Sequence, residues 1–171
     1  MLTSEAGDGL IPALHEGAFS GRLAFQQIIR DALRVAAQTG WRSITLCDAS
    51  FEDWPLGERA VIESLQAWSK TGRTLTILAK RFDTLRATHH RFVAWRGQWS
   101  HIIEARGVPD ADAADFPSGV YSPHWVMLRL DPVRSNGVCT LDAQRRIAMR
   151  EMLQEWHAKS SPAFAATTLG L

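Results

Sequence analysis

The spacing of hydrophobic residues changes several times along the chain, and each change marks a predicted element of secondary structure. Apolar positions three or four residues apart, typical of one face of a helix, predict helices over 22–38, 58–70, 82–99 and 142–159. Short runs rich in apolar and β-branched residues predict strands over 43–47, 74–79, 101–105, 125–130 and 138–141. The turn signal Ser135-Asn136-Gly137 joins the last two strands as a hairpin.

The order of these elements predicts the class of fold. Helices and strands alternate as αβαβαβ, then a hairpin and a last helix follow, which indicates a single three-layer α/β domain with a mixed sheet. A chain of 171 residues fits one domain of about 100–200 residues. We place this domain at 22–159, after a loose N-terminal arm (1–21). The uncharged, apolar tail (160–171) is expected to dock on the domain or on a dimer partner.

Charge and composition say less about the function of the protein than the spacing of hydrophobic residues says about its fold. The 19 basic and 18 acidic residues give a formal net charge of +1. The chain is therefore not a uniformly basic protein of the kind that binds nucleic acid through its bulk charge, and this argues against nucleic acid as the partner. Sixteen of the basic residues are arginines. Arginine suits bidentate contacts with phosphate, although a GC-rich genome produces the same excess.

Two cysteines, Cys47 and Cys139, lie in apolar surroundings without a CxxC pattern. This indicates buried free thiols in a reducing compartment rather than a zinc site. The sequence shows neither a leader pattern nor an apolar run of about 18 residues. We therefore expect a soluble cytoplasmic protein without a membrane span, and we predict no metal and no cofactor.

The segment from His124 to Asp131 carries one spacing with chemical meaning. A histidine is followed seven residues later by an aspartate, and this resembles the H-x-K-x-x-x-x-D signature of the phospholipase D superfamily. The αβαβαβ order is also similar to that fold. The resemblance implies that His124 attacks phosphorus and that Asp131 orients it. Because family members with one motif copy build their site across two chains, it also implies a homodimer.

Val126 stands where the signature has its lysine. Valine supplies no positive charge to a phosphoryl group, and Arg129, at an odd offset on the same strand, points to the other face. The first hypothesis is therefore a non-catalytic interaction or ligand-binding module with a degenerate site. The alternative is a phosphodiesterase or phosphatidyl-type hydrolase that uses His124 at a dimer interface.

Three arginines are candidates to hold a phosphate-bearing ligand: Arg91, Arg96 and Arg129. A simpler interpretation is an ordinary buried strand with Asp131 capping its turn.

A third hypothesis rests on the basic stretch 70–106, which holds eight basic residues against Asp83 and Glu104. Phe92, Trp95 and Trp99 lie among these cations, and a basic, aromatic surface binds nucleic acid. The same pattern also fits an amphipathic helix with arginines on its solvated face.

Three carboxylates follow the first predicted strand at Asp48, Glu52 and Asp53. Oxygen ligands at the end of a strand suit a divalent cation. The alternative is a surface turn that places Trp54 in the core.

Overall fold

A mixed sheet of eight strands organises the protein, in a computed structural model that describes residues 13–166. The strands are β1 (Gly17–Phe19), β2 (Ser43–Cys47), β3 (Thr74–Ala79), β4 (Ile103–Gly107), β5 (Gly119–Tyr121), β6 (Val126–Asp131), β7 (Asn136–Thr140) and β8 (Ser161–Pro162). Their order across the sheet is β1-β7-β6-β5-β2-β3-β4-β8. Strands β2, β3 and β4 pair in parallel and every other pair is antiparallel. The predicted mixed α/β sheet is confirmed.

Helices lie on both faces of this sheet. They are α1 (Arg22–Thr39), α2 (Arg59–Trp68), α3 (Asp83–Thr88), α4 (His90–Gln98) and α5 (Ala143–Lys159). Alternate residues of the central strands, such as Leu46 and Ile77, join the buried side chains of α1 to α4 in the larger core. The opposite residues, such as Cys47 and Leu78, pack with Met149 of α5 in a smaller core. None of the described helices is long and apolar enough to cross a membrane.

The topology defines two edges that matter for function. Strands β2, β3 and β4 begin at one edge of the sheet, called here the amino edge, and end at the opposite carboxyl edge. Strand β6 runs the same way, because β5 is antiparallel to both β2 and β6. The residues that precede these four strands therefore share the amino edge.

The helix predicted over 82–99 is two helices, and this prediction was wrong at His89. The imidazole of His89 is buried, and its Nε2 lies 2.8 Å from the carbonyl oxygen of Phe51. The backbone at His89 (φ −110°, ψ 65°) leaves the helical region and separates α3 from α4. Helical spacing of the flanking residues continues across the break, so the pattern conceals it.

Two strands of three residues each lie where no strand was predicted, as does the two-residue β8 described below. β1 lies inside the predicted N-terminal arm and pairs with β7, with Phe19 buried. β5 ends the loop predicted over 107–119 and joins β2 to β6. Each has only three residues, too few for an alternating pattern to show. The strand predicted over 101–105 begins at Ile103, after a 3₁₀ turn at Ser100–Ile102.

The described part of the C-terminal tail lies on the same chain. Strand β8 pairs with the outer side of β4, and the Phe164 ring stacks on Phe82 with centroids 5.1 Å apart. Residues 1–12 of the predicted arm (1–21) and residues 167–171 of the tail lie outside the described residues. Cys47 and Cys139 are buried free thiols.

Candidate functional site

A basic cleft opens at the amino edge, where the turns before β2 and β3 meet. Its volume is about 290 Å³, and it is lined by Gly40, Arg42 and the turn 70–73. Arg42 and Lys70 are exposed and Arg73 is half-buried. Among the described residues, no carboxylate forms a salt bridge with any of these three cations. The cleft therefore presents positive charge to an external anion.

Local backbone geometry holds one of these cations in place. Gly40 ends α1 in the left-handed conformation (φ 76°), and a Cβ there would lie 3.3 Å from Nη2 of Arg73. The Nη1 atom of Arg73 donates to the carbonyl oxygen of Trp68, and the guanidinium lies 5.8 Å from that indole ring. Arg73 is thus fixed by packing, whereas Arg42 and Lys70 extend into solvent.

Exposed rings flank the basic cleft along the same edge. His124, just before β6, stacks on the buried Trp41 with centroids 5.9 Å apart. On the other side, just before β4, His101 stacks on Trp99 with centroids 5.5 Å apart. β6 and β4 are four strand positions apart, or about 19 Å at the usual strand spacing of about 4.8 Å. The edge therefore presents a ring, a group of cations and a second ring in a row.

The carboxyl edge has a different charge character. Lys80 and Arg81 lie at this edge and donate to the carbonyl oxygen of Pro109. Seven acidic residues lie there, at Asp48, Glu52, Asp53, Asp110, Asp112, Asp115 and Asp131. Three of them pair with Arg129 or Arg134. The net charge of +1 therefore conceals an uneven distribution between the two edges.

The predicted pair His124 and Asp131 lies at opposite ends of β6, about 23 Å apart for seven residues of extended chain. The carboxylate of Asp131 accepts the backbone N–H groups of Val133 and Arg134, each at 3.1 Å. Hydrogen bonds from the backbone and guanidinium of Arg134 lower the pKa of Asp131. Asp131 caps the β6–β7 turn, and within one chain it does not approach His124.

The three arginines predicted to hold phosphate lie in three different places. Arg91 donates to the carbonyl oxygen of Gly57. Arg96 is buried and donates to the carbonyl oxygen of Phe164, and burial, with the nearby Arg86, lowers its pKa. Arg129 lies in a third place, and none of the three hydrogen-bonds to His124.

Arg129 is fully engaged by the protein itself, on the face of the sheet opposite Val126. Its guanidinium donates to Asp53 (2.6 Å), Asp48 (2.8 Å), Ser118 (3.0 Å) and Ser135 (3.2 Å). Burial alone would lower the pKa of Arg129, but the two carboxylates outweigh that effect and raise it. Because its donors are satisfied, Arg129 links its own strand, β6, to these four residues and is not free for a ligand.

The proposed cation ligands at Asp48, Glu52 and Asp53 do not form a metal site. No group of three or more metal-binding side chains occurs within residues 13–166. Asp48 and Asp53 instead neutralise Arg129. Trp54 is 2% exposed, so the alternative interpretation, a turn with its tryptophan in the core, describes this segment.

The basic stretch 70–106 does not form one surface, because its helices and strands carry successive cations to different sides. Only Lys70 and Arg73 reach the basic cleft. Arg42, the third cation, lies outside that stretch and was missed. Arg42 and Arg73 each immediately precede a parallel strand, and this shared position is the sequence signal that could have paired them.

Comparisons with known proteins show similarity only at the level of fold. No family model matches the chain, and no curated protein matches its sequence. The chain resembles the structure of TrmBL2, described as an archaeal chromatin protein with a novel mode of DNA binding, with a TM-score of 0.63 and 13% identity. The match covers 95% of this chain and 63% of TrmBL2, so the chain spans less than two thirds of that protein.

The chain also resembles NucT from Helicobacter pylori, a phospholipase D-family protein, with a TM-score of 0.58 and 9% identity. That match covers 87% of this chain and 99% of NucT. Together with the mixed eight-stranded sheet, it supports the phospholipase D-like fold that the motif implies.

Proposed function

We propose that this protein binds nucleic acid along its amino edge and does not cleave it. The observation that carries this proposal is the basic cleft formed by Arg42, Lys70 and Arg73, flanked by exposed rings at His101 and His124. Guanidinium and ammonium groups neutralise backbone phosphates, while flat rings stack on bases without regard to sequence. The row of about 19 Å is long enough to contact several nucleotides.

The geometry at His124 supports the non-catalytic part of the proposal. Val126 is buried and apolar in place of the motif lysine, and Asp131 caps a turn at the far end of the strand. In a homodimer the second copy would contribute the same set, again without the lysine. A phosphoryl group at His124 would thus lack the charge that the motif lysine places beside it in the transition state. The hydrolase hypothesis is therefore the weaker alternative.

The DNA binding described for TrmBL2 adds support, because the two chains share a fold. We accordingly revise the expectation, based on net charge, that nucleic acid is not the partner. A bulk charge near zero is compatible with such binding when the cations gather at one edge.

Binding of a labelled oligonucleotide, followed by fluorescence anisotropy across a salt series, tests the proposal. The double variant Arg42→Gln/Lys70→Gln should weaken binding at least about tenfold and reduce the salt slope by about 1.4–1.8, since each lost phosphate contact contributes about 0.7–0.9. Arg91→Gln, which removes an exposed charge that does not line the cleft, is the control. Absence of binding, or equal losses in both variants, would contradict the proposal.

The non-catalytic part has its own readout. Prolonged incubation with labelled single-stranded and duplex oligonucleotides should leave them intact. Cleavage that disappears in His124→Ala would establish the hydrolase alternative instead. The homodimer and the cytoplasmic location remain predictions, and light scattering on the purified chain measures the first.

A further inference from the structure

An apolar cleft of about 330 Å³ lies between α5 and the β6–β7 hairpin, on the face of the sheet opposite the larger core. Its sheet wall consists of Val126, Leu128 and Leu130, which alternate along β6, together with Val138. Its helix wall consists of Ala148, Met149 and Met152. Leu130 lies at the rim of the cleft and is 69% exposed.

One end of this apolar cleft is charged. Arg145, in the first turn of α5, lines the cleft together with Thr140, which pairs with Val126 at the start of β6. Among the described residues, the guanidinium of Arg145 makes no hydrogen bond and no salt bridge. The nearby Asp142 carboxylate caps α5 by accepting the backbone N–H of Arg145 at 3.0 Å.

We propose that the apolar cleft binds a linear aliphatic carboxylate, with its carboxylate on Arg145 and its chain directed toward Leu130 and Met152. The distance from Val126 to Leu130 is about 13 Å along the strand, enough for a medium-length acyl chain. A volume of this order matches small-molecule sites, and flexible methionines adapt to a slender chain.

A small ligand fits this cleft better than a second copy of the chain. The apolar surface is concave, and the outward positions of α5 next to it are charged, at Arg150, Glu151 and Glu155. A large dimer contact there would bury these charges, which is unfavourable unless each finds a partner. A linear aliphatic carboxylate covers the apolar walls with its chain and neutralises Arg145 with its carboxylate.

The test is a thermal-shift and calorimetric titration of the full chain with decanoate, below the concentration at which decanoate aggregates. Decanoate should raise the melting temperature, since it binds only the folded state. Arg145→Gln should weaken decanoate binding about tenfold, the loss of one charge-assisted contact, and should leave the weaker binding of decanol unchanged. Ala148→Trp, which fills the cleft from an exposed helix position, should abolish both.

Matched controls on the same helix separate these effects from general changes in α5. Arg150→Gln and Ala158→Trp alter exposed residues that do not line the cleft, so decanoate should bind them as it binds the native chain. Circular dichroism confirms that each variant is folded. No decanoate binding, or equal losses in Ala148→Trp and Ala158→Trp, would overturn the proposal. A native dimer that Ala148→Trp dissociates would assign the cleft to a second copy instead and also overturn it.

Discussion

Arg129 illustrates how one buried charge can order a loop-rich edge of a sheet. Its guanidinium holds Asp48 after β2, Asp53 in the following loop, Ser118 before β5 and Ser135 in the β6–β7 turn. It also lies 4.0 Å from the centroid of the Phe25 ring on α1. The odd offset from Val126 correctly predicted the face on which Arg129 lies. Its partners could not be predicted, because they are distant in sequence.

Replacement of Arg129 by methionine should lower the free energy of unfolding by about 3–5 kcal/mol, because the buried Asp48 and the partly buried Asp53 carboxylates lose their counter-ion. Urea denaturation followed by tryptophan fluorescence measures this change. Arg134→Met is the matched control. Its salt bridge to Asp131 is exposed, so its loss should cost far less stability than the loss of Arg129. Similar losses in the two variants would show that the Arg129 network does not stabilise this edge.

The two thiols should be unreactive in the native protein. Burial raises the pKa of Cys139 to about 12 and raises that of Cys47 further, so near pH 8 neither forms the reactive thiolate. A disulfide reagent that absorbs on reaction should detect neither cysteine until denaturant unfolds the chain. Rapid labelling of either cysteine in the folded protein would contradict the burial of these thiols.

At the scale of elements, β5 approaches the backbone of β6 very closely. It lies between β2 and β6, and a Cβ on Gly119 would overlap the carbonyl group of Met127. Only glycine therefore permits this pairing without displacement of β6.

Gly119→Ala should destabilise the protein by at least about 2 kcal/mol, because the added methyl group forces two paired strands apart. Thermal unfolding measures the effect. Gly97→Ala, in α4, is the control: its Cβ meets only ordinary contact distances, and alanine favours a helix by about 1 kcal/mol over glycine. If Gly119→Ala melts at the native temperature, the β5–β6 register is wrong.

Hydrophobic periodicity was sufficient to predict α1, β2, β3 and α5, since each is long enough to show its period. It could not predict β1 or β5, whose three residues form strands only because longer neighbours are available to pair with them. It also missed the helix break at His89, which depends on a hydrogen bond to Phe51 on a separate loop. Long-range contacts decided each of these cases.

The basic cleft shows the same limit at the level of the site. Arg42 is 28 positions before Lys70 in the chain, and only the parallel pairing of β2 and β3 brings their turns together. Conversely, Arg91, Arg96 and Arg129, grouped from the sequence as phosphate ligands, are separated by the fold. The motif spacing of His124 and Asp131 likewise places both residues along one strand but does not bring their side chains close together.

For the molecule as a whole, the two edges of the sheet divide the charge. Arg42, Lys70 and Arg73, which have no carboxylate partner among residues 13–166, lie at the amino edge. Most carboxylates of the loops lie at the carboxyl edge, where Lys80 and Arg81 are also found. A polyanion is attracted to the first and repelled by the second, and this orientation is screened by salt. The same asymmetry places the charged end of the apolar cleft, at Arg145, toward the amino edge.

The most direct test of nucleic-acid binding at the amino edge is amide hydrogen exchange on the full chain with and without a saturating oligonucleotide. We expect slower exchange over 40–43, 69–74, 99–102 and 122–125, where the cations and exposed rings lie. Protection confined to the loops of the carboxyl edge, over 48–53 and 109–115, would contradict the account. Unchanged exchange throughout the chain at saturating oligonucleotide would contradict it equally.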